Sequence, residues 1–169
     1  MLYFGRKFRR PIIDTKLIIE FISLFFAGLL AGEEFIIRFG VRGPISSLEQ
    51  IPHIKVRIAL IRTLRIIVPI LFMFTLISGL MAAVLDGYAS GIGFRLAGLI
   101  ALIAFFATTM CGTVPINAEV MEWNPGAPPR GWQSLIKKWE FFNTIRCISV
   151  VFAFVFFLIS AAMRLCGSG

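Results

Sequence analysis

The stretch IIVPILFMFTLISGLMAAVL, residues 66–85, holds no charged side chain. A helix rises about 1.5 Å per residue, so this run reaches across the roughly 30 Å hydrocarbon core of a bilayer. Leu17–Phe35, Leu96–Val114 and Cys147–Met163 are similar in length and nearly as apolar. Lipid offers the backbone no hydrogen-bond partner, so such segments are expected to be helical. The sequence therefore predicts an all-α integral membrane protein, a four-helix transmembrane bundle forming a single domain over 1–169.

The composition agrees with a membrane class and argues against nucleic-acid binding. Hydrophobic residues make up 58% of the chain, with 18 Phe, and the net charge is +8. The basic residues flank the apolar spans instead of forming one stripe, which is typical of contacts with anionic headgroups. We therefore expect membrane lipid as a partner and no nucleic acid, and a homo-oligomer stays open.

Three cysteines, Cys111, Cys147 and Cys166, form no C-x-x-C pair. Membrane thiol oxidoreductases also use small four-helix bundles, but they need adjacent redox cysteines. The cysteine spacing therefore disfavours that class.

Orientation follows from the charges that flank the spans. The basic residues before the first span, followed by an apolar run, resemble a signal peptide. The apolar run is longer than that of a signal peptide and Glu20 interrupts its start, so we expect a retained helix. Four spans place both termini on one side, with seven Lys and Arg there against ten opposite. The first helix usually dominates, and its N-terminal flank carries five basic residues. We expect the protein to lie in the cell (inner) membrane with both termini in the cytoplasm.

The connections between the spans differ in length. Residues 86–93 form a short glycine-rich turn, whereas about 30 residues after Phe35 and the segment from Pro115 to Asn143 read as long connections. From His53 onward, the first long connection is predicted to be an amphipathic helix. Its polar face is predicted to hold Lys55, Arg57, Arg62 and Arg65, opposite its isoleucines.

Small residues and a proline carry further expectations about packing. The Gly28–Gly32 pair and the series Ala97, Ala101, Ala104 and Thr108 predict close helix contacts. Pro69 is predicted within the first turn of the second span, where proline costs least.

Polar residues concentrate on the face that holds the two long connections. Trp139, Asn143 and Arg146 stand at i, i+4 and i+7, so they form one stripe entering the fourth span. They could bind a flat ligand, or Trp139 could be an interfacial anchor while Arg146 snorkels to headgroups. The opposite face is predicted to hold basic flanks and little else.

The first span ends in two adjacent carboxylates, Glu33 and Glu34. Glu34 and Arg38 are four residues apart, which predicts an ion pair within one helix. Glu33 points about 100° away from Glu34 and lacks such a neighbour, which makes it the preferred general base. His53 is the second candidate, with an exposed loop histidine as the alternative.

A carboxylate metal site is a further alternative, with Glu33, Glu34, His53, Glu119 and Glu122 as its candidate ligands. Di-iron bundles use Glu-x-x-His pairs on two helices, whereas this chain has one histidine and no such pair. We therefore expect no cofactor, with a metal as the minor alternative.

Two motifs carry a family resemblance. A V-P-x-N element falls on Val114, Pro115 and Asn117, and a W-x-x-x-N-x-x-R element on Trp139, Asn143 and Arg146. With the Ala27–Gly32 segment, the chain resembles the small four-span membrane proteins that include the anthrone oxygenases. It departs from them in two places. Glu33-Glu34 replaces a more apolar segment, and the loop 123–129 is peculiar to a subgroup.

The resemblance implies that O₂ oxidises an anthrone without a recognised organic cofactor. Carboxylate or histidine could remove the acidic C–H proton, and amide or guanidinium donors could stabilise the oxyanion. The catalytic candidates are Glu33 and His53, and the substrate-binding candidates are Glu34, Asn117, Trp139, Asn143 and Arg146. The substrate would be a small lipophilic aromatic molecule. The alternative is a non-catalytic membrane protein that binds a lipid, a quinone or a protein partner, and the lack of an internal repeat disfavours a transporter.

Overall fold

A computed structural model describes residues 15–87 and 90–167 of the chain. In this part of the chain all regular structure is helical, which confirms the predicted fold class. The elements are α1 (Thr15–Phe35), a first π-helical turn (Ile36–Val41), α2 (Arg42–Ser46), α3 (Gln50–Asp86), α4 (Ile92–Thr108), a second π-helical turn (Thr109–Thr113), α5 (Val114–Met121) and α6 (Trp132–Gly167). The basic segment 6–10 and part of the glycine-rich turn, 88–89, lie outside the described residues.

These elements join into four continuous helical segments that are long and apolar enough to cross a membrane: Thr15–Ser46, Gln50–Asp86, Ile92–Met121 and Trp132–Cys166. Each predicted span lies within one of them. The second segment has 37 residues, which corresponds to about 55 Å of helix against a hydrocarbon core of roughly 30 Å. The helices therefore extend well past the length that the bilayer requires.

The two long connections are mostly helical: the predicted amphipathic helix from His53 is confirmed as part of α3, whereas the helical turns over 36–46 and 114–121 correct the sequence prediction. Only 47–49 and 122–131 separate the helices at this end of the bundle. Pro69 consequently lies in the interior of α3 instead of its first turn. There it cannot donate to the carbonyl of Arg65, so the helix forgoes one hydrogen bond at that point.

The two π-helical turns each precede a proline, Pro44 and Pro115. A proline inside a helix lacks the N–H donor, and its ring clashes with the carbonyl four residues earlier. A widened turn before the proline relieves that clash while the helix continues. This explains why Pro44 does not end the first segment.

The bundle carries apolar residues on its outer surface and many polar groups inside. Val84, Ile100 and Phe21 are 80%, 65% and 63% exposed. Glu20, Glu34, Arg57, Arg95 and Arg146 are buried instead. An apolar exterior around buried charges is the distribution expected of an integral membrane protein, which this chain therefore is.

Two hydrophobic clusters divide the interior along the bundle. The membrane cluster lies among the apolar spans and centres on Leu30, Leu102 and Phe157. The cap cluster lies among the helical extensions and consists of Ile54, Ile58, Ile61, Ile116, Val120, Trp123 and Ile136. The extensions therefore form a packed cap over one end of the transmembrane bundle.

Two helix pairs approach closely at glycines: a Cβ at Gly98 would stand 2.5 Å from the ring of Phe157, and one at Gly112 would stand 2.5 Å from the ring of Phe142. At Gly28 a Cβ would lie 3.3 Å from Phe154, whereas at Gly32 nothing lies within 4 Å. The predicted alanine face of α4 is confirmed only in part: Ala101 packs against the membrane cluster, whereas Ala104 is exposed. The buried residues of this helix include Gly98, Leu102 and Phe105, and Gly98 leaves room for the ring of Phe157.

Candidate functional site

An inner cavity of about 150 Å³ lies where the two clusters meet. Its lining includes Ile61 of the cap cluster and Val68 of the membrane cluster, and all four helical segments contribute to it. A cavity of this volume holds about one benzene ring. Pro69 lines it too, so the interrupted backbone of α3 adjoins the cavity.

Glu34 and Arg146 form a buried ion pair in the wall of this cavity. Arg146 also donates a hydrogen bond of 3.2 Å to the Thr113 hydroxyl, and its guanidinium lies 4.9 Å from the ring of Phe105. The predicted Glu34–Arg38 pair is wrong, since the bundle supplies Glu34 with a more deeply buried partner. The headgroup alternative for Arg146 is wrong for the same reason.

Trp139 and Asn117 join the two motifs directly. The indole Nε1 of Trp139 donates a 2.8 Å hydrogen bond to Oδ1 of Asn117. Asn143 is 2% exposed and lines the same cavity, as do Trp139 and Asn117. Both amides and the indole therefore face the inner cavity and not the headgroup region.

Glu33 is half-buried and lines the inner cavity beside Glu34. Its Oε2 atom is buried and has no hydrogen-bond partner in the described part of the chain. A carboxyl group with an open acceptor in a largely apolar cavity is suited to accept a proton.

Arg57 is a cavity residue that the sequence analysis placed on the wrong face. It is 7% exposed, and its guanidinium lies 4.9 Å from the ring of Trp139. The sequence does indicate this placement, because position 57 follows Ile54 by three and precedes Ile61 by four, so it lies on the helix face of the buried isoleucines. Its positive charge favoured the polar face in the prediction.

His53 lies in the first turns of α3 and is buried, so the exposed-loop alternative is wrong. Its ring packs edge-on against Trp132 with centroids 5.2 Å apart. His53 lines a separate outer cavity of about 730 Å³ and does not line the inner one. Three residues line both cavities: Arg38, Arg42 and Glu140.

The structure thus brings six of the seven predicted site residues together around the inner cavity: Glu33, Glu34, Asn117, Trp139, Asn143 and Arg146. His53 is set apart, on the far side of the Arg42–Glu140 ion pair of 2.7 Å that adjoins both cavities. Glu119 and Glu122 are exposed and lie outside both linings. Across 15–87 and 90–167, no group of three or more His, Cys, Asp or Glu is placed to hold a metal ion.

The opposite end of the bundle also carries buried charge, contrary to the prediction. Arg95 is fully buried, pairs with Glu20 and lies 3.8 Å from Asp86. Arg164 lies 2.8 Å from Asp86 and 3.8 Å from Glu20. Each helical segment supplies one member, and two cations balance two anions, so we name these four residues the closing cluster.

Four apolar helical segments around a largely apolar inner cavity that several charged side chains line define an integral membrane protein with an intramembrane-edge site between its helices. The sequence profile of the anthrone oxygenase family matches residues 59–156, more than half of the chain, and the protein belongs to that family. Asn117, Trp139, Asn143 and Arg146 fall within the matched range, whereas Glu33 and Glu34 precede it. No curated protein and no solved structure matches the chain significantly.

Proposed function

We propose that the protein is a membrane oxygenase that oxidises a planar, lipophilic, anthrone-like substrate with O₂. The observation that carries the proposal is the Glu33 carboxyl group, whose Oε2 is buried without a hydrogen-bond partner beside a largely apolar cavity. Membership of the anthrone oxygenase family supports the substrate class.

The reaction converts a ring methylene into a ketone. Loss of one methylene proton leaves an anion whose charge is shared with the ring carbonyl oxygen, and O₂ adds to the ring carbon to give a hydroperoxide. Loss of the second hydrogen and cleavage of the O–O bond then yield the quinone and water. One anthrone and one O₂ thus give one anthraquinone and one H₂O, and we propose that no organic cofactor takes part.

Glu33 is the proposed base for the first proton. Asn143 offers an amide to the substrate oxygens, and Trp139, held by its bond to Asn117, offers an aromatic surface. Arg146 is already paired with Glu34, so we assign that pair to positioning the walls of the cavity. Preorganised donors of this kind stabilise developing negative charge most strongly where water is excluded.

Entry of a substrate requires the inner cavity to widen, because three fused rings exceed its volume of about 150 Å³. The larger outer cavity, about 730 Å³, shares the Arg42–Glu140 ion pair with it. Arg42 is 46% exposed in its side chain, so separating this pair costs little. We assign the opening of this pair to the entry of the substrate.

The test is O₂ uptake by the purified protein in lipid nanodiscs supplied with an anthrone. We expect O₂ uptake and anthraquinone formation in equal amounts, above the autoxidation that empty nanodiscs give. Loss of activity after chelator treatment, with recovery on adding one metal, would add that metal to the mechanism. No turnover by the wild type would favour the alternative, a non-catalytic protein that binds a lipid, a quinone or a protein partner.

The proposed location is the cell (inner) membrane with cytoplasmic termini, which places the inner cavity at the outer face. Reporter fusions at Gly91 and at the C-terminus should agree with each other. Fusions at Ser47 and Gly126 should agree with each other and differ from the first pair. Any other pattern contradicts the arrangement.

A further inference from the structure

The inner cavity carries more positive than negative side chains. Five guanidinium groups and three carboxyl groups line it: Arg38, Arg42, Arg57, Arg65 and Arg146, against Glu33, Glu34 and Glu140. With every group ionised, this lining carries two excess positive charges. A cavity so charged favours a ligand that brings negative charge.

Most of these cations already have partners or reach solvent. Arg146 pairs with Glu34, and Arg42 lies 2.7 Å from Glu140. Arg38 donates a 2.7 Å hydrogen bond to the Thr144 hydroxyl, and Arg65 is exposed. None of these four leaves a buried guanidinium without a close partner.

Arg57 differs from the other four. Its closest ion-pair contact is Nη2 to Glu140 Oε1 at 3.9 Å, beyond hydrogen-bond length, and Glu140 is already engaged by Arg42. Its Nε is buried and has no hydrogen-bond partner within the described ranges, which is also true of Nε in Arg146, but Arg146 has its close ion pair with Glu34 whereas Arg57 has none. A side chain 93% shielded from solvent (7% exposed) thus keeps unused donors at the cavity.

The ring of Trp139 holds this guanidinium in place, at 4.9 Å, by a cation–π contact. Such a contact stabilises a buried cation but leaves its in-plane N–H groups free. Guanidinium N–H groups form their strongest hydrogen bonds with anionic oxygens. A buried guanidinium without an anionic partner raises the free energy of the unliganded protein. A ligand that supplies the anion removes this penalty, and its binding is strengthened accordingly.

We propose that Arg57 binds the anionic ring oxygen, phenolate or enolate, of a planar aromatic ligand in the inner cavity. The cavity therefore selects hydroxylated, ionisable polycycles over neutral ones. This inference deepens the proposed function and rests on it for the planar aromatic class of ligand. In the reaction, Arg57 would receive the charge that reaches the carbonyl oxygen as Glu33 removes the proton.

The test measures binding without turnover, under anaerobic conditions. 1,8-Dihydroxyanthraquinone and unsubstituted anthraquinone are titrated into the nanodisc protein at a pH where the free dihydroxy compound is neutral. We expect the dihydroxy compound to bind at least about tenfold more tightly. Its visible absorption should also shift to longer wavelength on binding, which is the signature of the ionised phenol.

Arg57→Gln should abolish this red shift and remove the preference between the two quinones. Arg57→Lys keeps the charge but loses the planar fork, so it should retain a partial shift, and it serves as the test if Arg57→Gln does not fold. The matched control is Arg62→Gln, an exposed arginine on the same helix outside the cavity lining, which should behave as the wild type.

An unchanged red shift in Arg57→Gln, equal affinity for the two quinones, or no binding of either by the wild type would each overturn the inference. The outcome is separable from that of the oxygenase test. A red shift that depends on Arg57 in a protein without O₂ uptake would reject the proposed reaction and keep the anion site. Turnover that tolerates Arg57→Gln would do the reverse.

Discussion

Glu34 and Arg146 stand 112 positions apart in the chain, and their side chains form an ion pair inside the bundle. Glu34 is 1% exposed and Arg146 is 7% exposed, so neither is solvated when its partner is lost. We predict that Glu34→Gln lowers the free energy of unfolding by about 3–5 kcal/mol, because it strands a buried guanidinium. Denaturant titration in detergent micelles measures this loss.

The Glu34→Gln/Arg146→Gln double variant should lose less than the two single variants together, since it removes both charges. The half-exposed Arg42–Glu140 pair is the comparison, and Arg42→Gln should cost about 1 kcal/mol or less. Equal losses for Glu34→Gln and Arg42→Gln would contradict the burial argument.

The second prediction concerns the proposed base. Glu33→Gln preserves shape but removes the proton acceptor, so anthrone turnover should fall by about 10²–10⁴-fold at matched amounts of folded protein. His53→Gln should leave turnover near the wild-type level, because His53 lines only the outer cavity. Glu119→Gln, an exposed carboxyl group on α5, controls for a general effect of charge. If His53→Gln abolishes turnover and Glu33→Gln does not, the base is misassigned.

The third prediction concerns helix packing at Gly98. An added Cβ would meet the fully buried ring of Phe157 at 2.5 Å and the carbonyl of Ala153 at 3.2 Å. Gly98→Ala should therefore destabilise the bundle by about 1–3 kcal/mol. A Cβ at Gly32 would meet nothing within 4 Å, so Gly32→Ala should unfold at the denaturant concentration of the wild type or at a slightly higher one. The two unfolding curves should separate clearly, and coincident curves would refute the contact.

The fourth prediction separates stability from activity at the closing cluster. Arg95→Gln leaves the carboxylates of Glu20 and Asp86 with Arg164 alone, and we expect a loss of about 3–5 kcal/mol. The cluster lies at the opposite end of the bundle from the inner cavity, so kcat/KM of the remaining folded protein should not change. A large fall in kcat/KM without a loss of stability would mean that the two ends are coupled.

The features that the sequence predicts correctly are those set by local pattern. Four apolar runs fix the four membrane-crossing helices, because length and hydropathy alone decide whether a helix suits the bilayer. The i, i+4, i+7 spacing places Trp139, Asn143 and Arg146 on one face whatever surrounds them.

The features that sequence reasoning missed depend on partners from other helices. Glu34 had a plausible partner at Arg38, yet in the structure it pairs with Arg146 while Arg38 donates to Thr144. Arg95 read as a flanking charge because Glu20 and Asp86 come from two other segments of the chain. Spacing along one helix cannot show which distant helix supplies the counter-charge.

The widened turn at Thr109–Thr113 has a consequence for how this protein could change over evolution. A π-helical turn holds one residue more than an α-helical turn, so the side chains after it are rotated by about 100°. Asn117 follows the turn, and its hydrogen bond to Trp139 needs that rotation. A single-codon deletion between 109 and 113 would therefore disconnect the two motifs while leaving every motif residue in place. Alignments of relatives should be inspected for gaps there before their shared side chains are taken as a shared site.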